Sequence, residues 1–163
     1  MQQTTQPQGW HTANWGTLGW LETGLKLAAA LVGFIAFVQS SSSNTWTVAN
    51  HPHLVAVIIL ALLTLLWIGV LAIRFQQREI ISMIYSILNA LGHVALLIAL
   101  LRMPEQRVLP VIFGVLWVLG ELVKRRFLTV SGYTESGRST STMLQVSTVV
   151  TIAYGLFAVL MLL

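Results

Sequence analysis

Ser82, Ser86, Asn89 and His93 recur at i, i+4, i+7 and i+11 within an apolar stretch, 80–101. That spacing draws a single stripe along a helix. Tyr85 borders the stripe, and Ser82, Ser86 and Ala90 add a row of small residues that permits close helix approach. Outside this stretch the suggestive residues are fewer. Glu121 stands in a second apolar run, and Thr151 and Tyr154, with Ser147, make a weaker stripe in a third. Counting about 1.5 Å of rise per residue puts His93 roughly 4 Å from the middle of its run and Glu121 roughly 5 Å from the middle of its own, at the level of Ser86–Asn89. One buried layer of Asn89, His93, Glu121, Thr151 and Tyr154 follows from that count.

Such a layer permits three kinds of chemistry. An ionisable group inside hydrocarbon is a functional hypothesis by default, so Ser82, Ser86, Asn89, His93 and Glu121 could line a transport path. The same hydroxyls and amide serve equally as hydrogen bonds between helices, at about 0.6 kcal/mol each. A lone histidine could bind haem or a pigment, which makes His93 the one candidate ligand, although no cofactor is expected. Glu121 precedes Arg125 by four residues, the spacing of a pair on one helix face, and its plain reading is an ion pair with Arg125 at the membrane interface. The outer pair His51 and His53 lacks a nearby carboxylate or thiolate and makes a poor metal site.

Most catalytic classes find no residues here. The chain has no Cys and no Asp, which removes thiol chemistry, Cys-ligated zinc, iron–sulfur clusters and carboxylate pairs built on Asp. G-x-S-x-G, His-Glu-x-x-His and Walker A runs are absent. Ser86 and His93 sit on one face but about 10 Å apart by rise, too far for a nucleophile and its base. A non-catalytic protein is the expectation.

What must position these residues is a set of membrane helices. Of 163 residues, 56% are hydrophobic and only 9% charged, and mean hydropathy is +0.79; a soluble domain carries about 25% charged residues. A crossing needs about 20 mostly apolar residues. Runs at 53–74, 80–101, 108–127 and 143–163 satisfy this. A fifth, 18–38, carries Glu22 and Lys26 near its start, four residues apart, where they can pair with each other while Lys26 snorkels to the headgroups. The fold expected is therefore an all-α, polytopic transmembrane bundle of five spans, or four if the first is only interfacial. Alternating β-barrel patterning is lacking. The second span is apolar all round and would face lipid or pack through shape alone.

Residues 1–17 hold Trp10 and Trp15 but no Lys or Arg. They read as an interfacial segment and not as a standard signal peptide. Arg74, Arg78, Lys124, Arg125, Arg126 and Arg138 fall at one set of loops, against Arg102 and Arg107 at the other. Retention of basic residues inside puts the N-terminus in the cytoplasm and, with five spans, the C-terminus outside. Lys124, Arg125 and Arg126 are then contacts for anionic headgroups. The partners expected are the bilayer and further membrane chains, as a homo- or hetero-oligomer. Nucleic acid is not expected, because the basic cluster is short and abuts a span. An accessory or scaffold subunit stands first, a small transporter or channel second, and a cofactor carrier or enzyme using His93 third.

Overall fold

The computed structural model describes residues 9–10, 17–40, 54–102, 108–131, 140–160 and 162. His51, His53, Trp15 and residues 132–139 lie outside the described residues, as does most of 1–17. All regular structure among them is helical: α1 (Thr17–Ser40), α2 (Leu54–Gln76), α3 (Ile80–Arg102), α4 (Val108–Ser131) and α5 (Thr140–Leu160). Four of the five are long and apolar enough to cross a membrane: α1, α2, α3 and α5. Doubt in the sequence had fallen on the first stretch, but α4 is the helix that departs. Glu121, Lys124, Arg125 and Arg126 crowd its second half, and it runs on past Phe127 to Ser131.

α3 is the hub. It packs against α1, α2 and α4, while α5 packs on α4. Its buried positions run Ser82, Tyr85, Ser86, Asn89, Gly92, His93, Ala95, Leu96, Ala99 and Leu100. Steps of three and four residues keep them on one wide face. The opposite face, with Ile84, Ile87, Leu91, Val94 and Ile98, is exposed, as a lipid-facing surface must be in a bundle whose apolar residues gain nothing by hiding from acyl chains.

Close packing depends on glycine at the α3–α4 and α4–α5 seams. A Cβ on Gly92 would overlap the Trp117 ring. On Gly114 it would stand 2.7 Å from the Ala158 Cβ, and on Gly120 3.2 Å from Asn89 Oδ1. Without a hydrophobic drive between helices, such approaches supply the dispersion contacts that hold a membrane bundle.

The α2–α3 turn has a specific geometry. Arg78 adopts φ 57°, the left-handed conformation that usually ends a helix on glycine. The Glu79 amide donates to the Arg74 carbonyl at 3.2 Å, and the Arg78 amide to that of Phe75 at 3.0 Å. Together they form a Schellman cap. Glu79 then opens α3, its own carbonyl accepting from the Met83 amide at 2.8 Å. This sharp reversal brings the end of α2 beside the start of α3. The polar contacts described next place the starts of α1 and α5 and the end of α4 at the same end of the bundle.

Candidate functional site: a buried charge layer

Six ionisable side chains are buried at the end that carries the α2–α3 turn: Glu22, Lys26, Arg74, Glu79, Glu121 and Lys124. The chain has only five acidic residues, so three of them are spent on this layer, against three cations. A buried charge without a partner is unsustainable in a medium of low dielectric. The pairing is accordingly close.

One half of the layer is built around Arg74. Its Nε donates to Glu22 Oε1 at 3.0 Å and its Nη2 to Glu22 Oε2 at 3.1 Å, a two-pronged contact that suits the planar guanidinium. Its Nη1 bonds Glu79 Oε2 across the turn. The Ser86 hydroxyl adds a bond to Glu22 Oε1 at 2.8 Å. One guanidinium thus ties α1, α2 and the start of α3 together. The second half is centred on Lys26. Its Nζ donates to Glu121 Oε1 at 2.9 Å and to the Trp117 carbonyl at 3.3 Å. The rings of Tyr154, Trp117 and Tyr85 surround the ammonium at 4.9, 5.2 and 5.5 Å, a cation–π box. The Ser147 hydroxyl donates to Glu121 Oε2 at 2.7 Å, and Arg125 Nε reaches the Ser147 oxygen at 3.4 Å. α1 does not pack on α4 backbone to backbone; the four-carbon stem of Lys26 spans the gap.

These partners correct several expectations. Glu22 and Lys26 do not pair with each other; each points into the bundle and takes a partner from another helix. Lys26 does not snorkel, being almost wholly buried. Glu121 is not paired with Arg125, because Lys26 and Ser147 occupy its two oxygens. Lys124 is buried, unlike the half-buried Arg125 and the exposed Arg126, so it is not available to the headgroups expected to meet all three. α2 does not pack by shape alone, since its Trp67 and Arg74 both carry polar contacts to α3 or the turn. A common cause underlies the two pairing errors. In water an i,i+4 pair is stable at almost no cost; inside a bundle the partner that wins is the one that also removes a second buried charge.

His93 closes the polar stripe on its far side. It is fully buried, with Trp67 and Trp117 ring centroids at 5.5 and 5.0 Å. A carbonyl can only accept, so the 2.8 Å contact with the Asn89 carbonyl makes Nδ1 the protonated nitrogen. Trp67 Nε1 then donates to Nε2 at 3.0 Å. Both nitrogens are thereby engaged and the imidazole is neutral. A haem or pigment metal finds no free ligand position here, so His93 does not fit that role. Asn89 keeps its side chain on α3, its Nδ2 donating to the Tyr85 carbonyl at 2.8 Å.

Of the residues singled out in the sequence, Ser86 and Glu121 join the charge layer, and Asn89 and Tyr154 flank it. Ser82 lines a small crevice beside Tyr85 and Lys124. Thr151 stands apart: it is half-buried and its hydroxyl returns to the Ser147 carbonyl at 2.7 Å. Beside Lys124, which the sequence placed among the headgroup contacts, Glu22, Lys26, Arg74 and Glu79 are the members that sequence reasoning did not bring to the site. Their signal was present as charges at the edges of apolar runs, all at one end of an alternating bundle and balanced in sign. Among the described residues no group of His and Glu side chains suits a metal ion. No family model, no curated protein and no solved structure matches the chain.

Proposed function

We propose that the chain is a non-catalytic, multi-pass integral membrane protein that acts as an accessory or scaffold subunit, packing against its own copies or other membrane chains. The observation that carries this reading is His93. The one histidine deep in a span has both ring nitrogens satisfied by the chain itself, between two tryptophans, and offers nothing to a substrate. Beyond it Leu60, Leu96, Ala99, Leu100 and Phe113 pack in an apolar cluster. Purification from native membranes in a mild detergent tests the proposal. A homo-oligomer or a stable hetero-complex is the expected species, and a lone monomer at all concentrations overturns it.

Five crossings suit this role. α4 runs beside α3 with Gly120 at Asn89 and Gly92 at Trp117, so the two helices share their depth, and its buried Glu121 takes partners from α1 and α5. An N-terminus in the cytoplasm also fits. Removing the internally paired Arg74 and the buried Lys124 from the basic count leaves Arg78, Arg125, Arg126 and Arg138 against Arg102 and Arg107, the same sign of bias. Arg126 and Arg125 would then meet anionic headgroups.

Transport is the second reading, and the six buried ionisable groups favour it, because intramembrane charges usually mark ion pathways. Its path would begin at the charged end and require His93 and its tryptophans to move. Flux of protons or small cations into liposomes should fall in Glu121→Gln and in His93→Ala; equal flux in wild type, both variants and empty liposomes rejects it.

A further inference from the structure

Three buried polar atoms near the charge layer have no hydrogen-bond partner among the described residues: Tyr85 Oη, Asn89 Oδ1 and Tyr154 Oη. They share one neighbourhood. Tyr85 and Tyr154 are two of the three rings around Lys26 Nζ, and Asn89 lies one helical turn from Tyr85 and is bonded to its carbonyl. The ammonium carries three donors and makes two hydrogen bonds among the described residues, to Glu121 and to the Trp117 carbonyl. Each unmade bond of this kind leaves a desolvated polar atom uncompensated in a protein interior. Orphans scattered through a structure can be incidental, but two of these three belong to rings that flank one ammonium, and the third to the residue bonded to the Tyr85 carbonyl.

A crevice adjoins that place. Ile81, Ser82, Tyr85, Lys124 and Phe127 line a crevice between α3 and α4, with room for about one water molecule. Tyr85 belongs both to this crevice and to the Lys26 box, so its side chain borders both. We propose that the Lys26–Glu121 site is a hydrated chamber, in which trapped water bridges Lys26, Tyr85, Asn89 and Tyr154 and exchanges with solvent past Tyr85 through the Ser82–Lys124 crevice. Water suits the inventory because it offers two donors and two acceptors, whereas the orphans comprise one ammonium N–H, an amide oxygen that only accepts, and two hydroxyls that do either. The chamber gives the most deeply placed carboxylate of the layer a link to one face of the bundle, and it ends at the dry His93 plug. The proposal is independent of both functional readings: a scaffold does not require water there, and transport requires more than water.

Hydroxyl-radical footprinting of the intact chain in lipid nanodiscs reads trapped water directly, because radicals form from water beside the side chain they oxidise. After correction for intrinsic reactivity, Tyr85 and Tyr154 should be oxidised several-fold faster than Phe113, which is buried to a similar degree in the dry cluster. Equal or slower oxidation of both tyrosines overturns the proposal. Asn89→Leu removes the accepting oxygen at similar volume and should bring both tyrosines down to the Phe113 rate. Wild-type rates in a folded Asn89→Leu protein overturn the bridging role of Asn89. Should that variant not fold, the wild-type ratio alone decides.

Discussion

The bundle has two unlike ends. At the end that carries the α2–α3 turn, ion pairs and hydroxyls link all five helices. Beyond His93, Leu96, Ala99, Leu100, Ala36 and Phe113 meet partners of the same kind, and Gly33 lets α1 approach the Leu96 side chain. The two ends use different physics. Apolar contacts in lipid are nearly isoenergetic with acyl contacts, so the dry end is held by fit alone and tolerates sliding. Charges in a low dielectric tolerate no alternative partner, so the other end fixes register and helix order even where the net gain in stability is small. α1 illustrates the division. Little backbone packing holds it to α3, and none holds it to α4, yet Glu22 and Lys26 each bind a defined partner on another helix.

The strongest way to break this contrast is at Arg74. Arg74→Met leaves Glu22 and Glu79 buried without their cation and should cost about 3–5 kcal/mol, read as a shift in detergent-titrated unfolding. A loss under about 1 kcal/mol means that the layer is not what fixes the charged end. Next is the Lys26–Glu121 pair, where the sign separates specificity from stability. Glu121→Leu alone should destabilise by about 3 kcal/mol or more, whereas Lys26→Met with Glu121→Leu should return close to wild type, since replacing a whole buried pair by apolar side chains is often neutral. A double-variant loss equal to the sum of the losses in Glu121→Leu alone and Lys26→Met alone would show that the two residues act independently.

The dry end is probed by shape. Gly114→Ala sets a Cβ 2.7 Å from that of Ala158 and 3.2 Å from the Tyr154 carbonyl oxygen and should cost about 1–3 kcal/mol, the usual range for overpacking. Gly69→Ala on the outer face of α2, where a Cβ meets nothing within 4 Å, should be neutral or slightly stabilising in the same unfolding titration. Comparable losses at the two glycines would remove the argument from fit. The smallest effect is expected at the turn. Arg78→Gly relieves a left-handed residue of its Cβ penalty and should stabilise by about 1 kcal/mol; destabilisation would mean that the Arg78 side chain contributes more than its backbone conformation costs.

Much of the helical architecture was legible because membrane helices announce themselves through length and apolarity, and because a polar stripe at steps of three and four residues can only face inward. α3 is the clearest case: Ser82, Ser86, Asn89 and His93 all lie on its buried face. Glu121 was legible as a position but not as a contact. Its neighbour four residues on is always within reach in sequence, whereas Lys26 is 95 residues away and comes near only once α1 has taken its place beside α3. Trp67 gave no sign of its role, since an indole within an apolar run reads as bulk until a histidine acceptor is set opposite it.

By itself, the amino-acid order determined that the chain forms long apolar helices, that α3 keeps a hydrophilic seam, and that thiol and paired-Asp chemistry are unavailable. Those properties follow from composition and local periodicity, which need no knowledge of distant residues. Tertiary structure alone decided which charge meets which, which tautomer His93 adopts, and that Arg78 turns the chain with a left-handed backbone. Partner choice is a contest among all groups brought within a few ångströms, and the winner depends on how many other buried charges each pairing leaves unanswered.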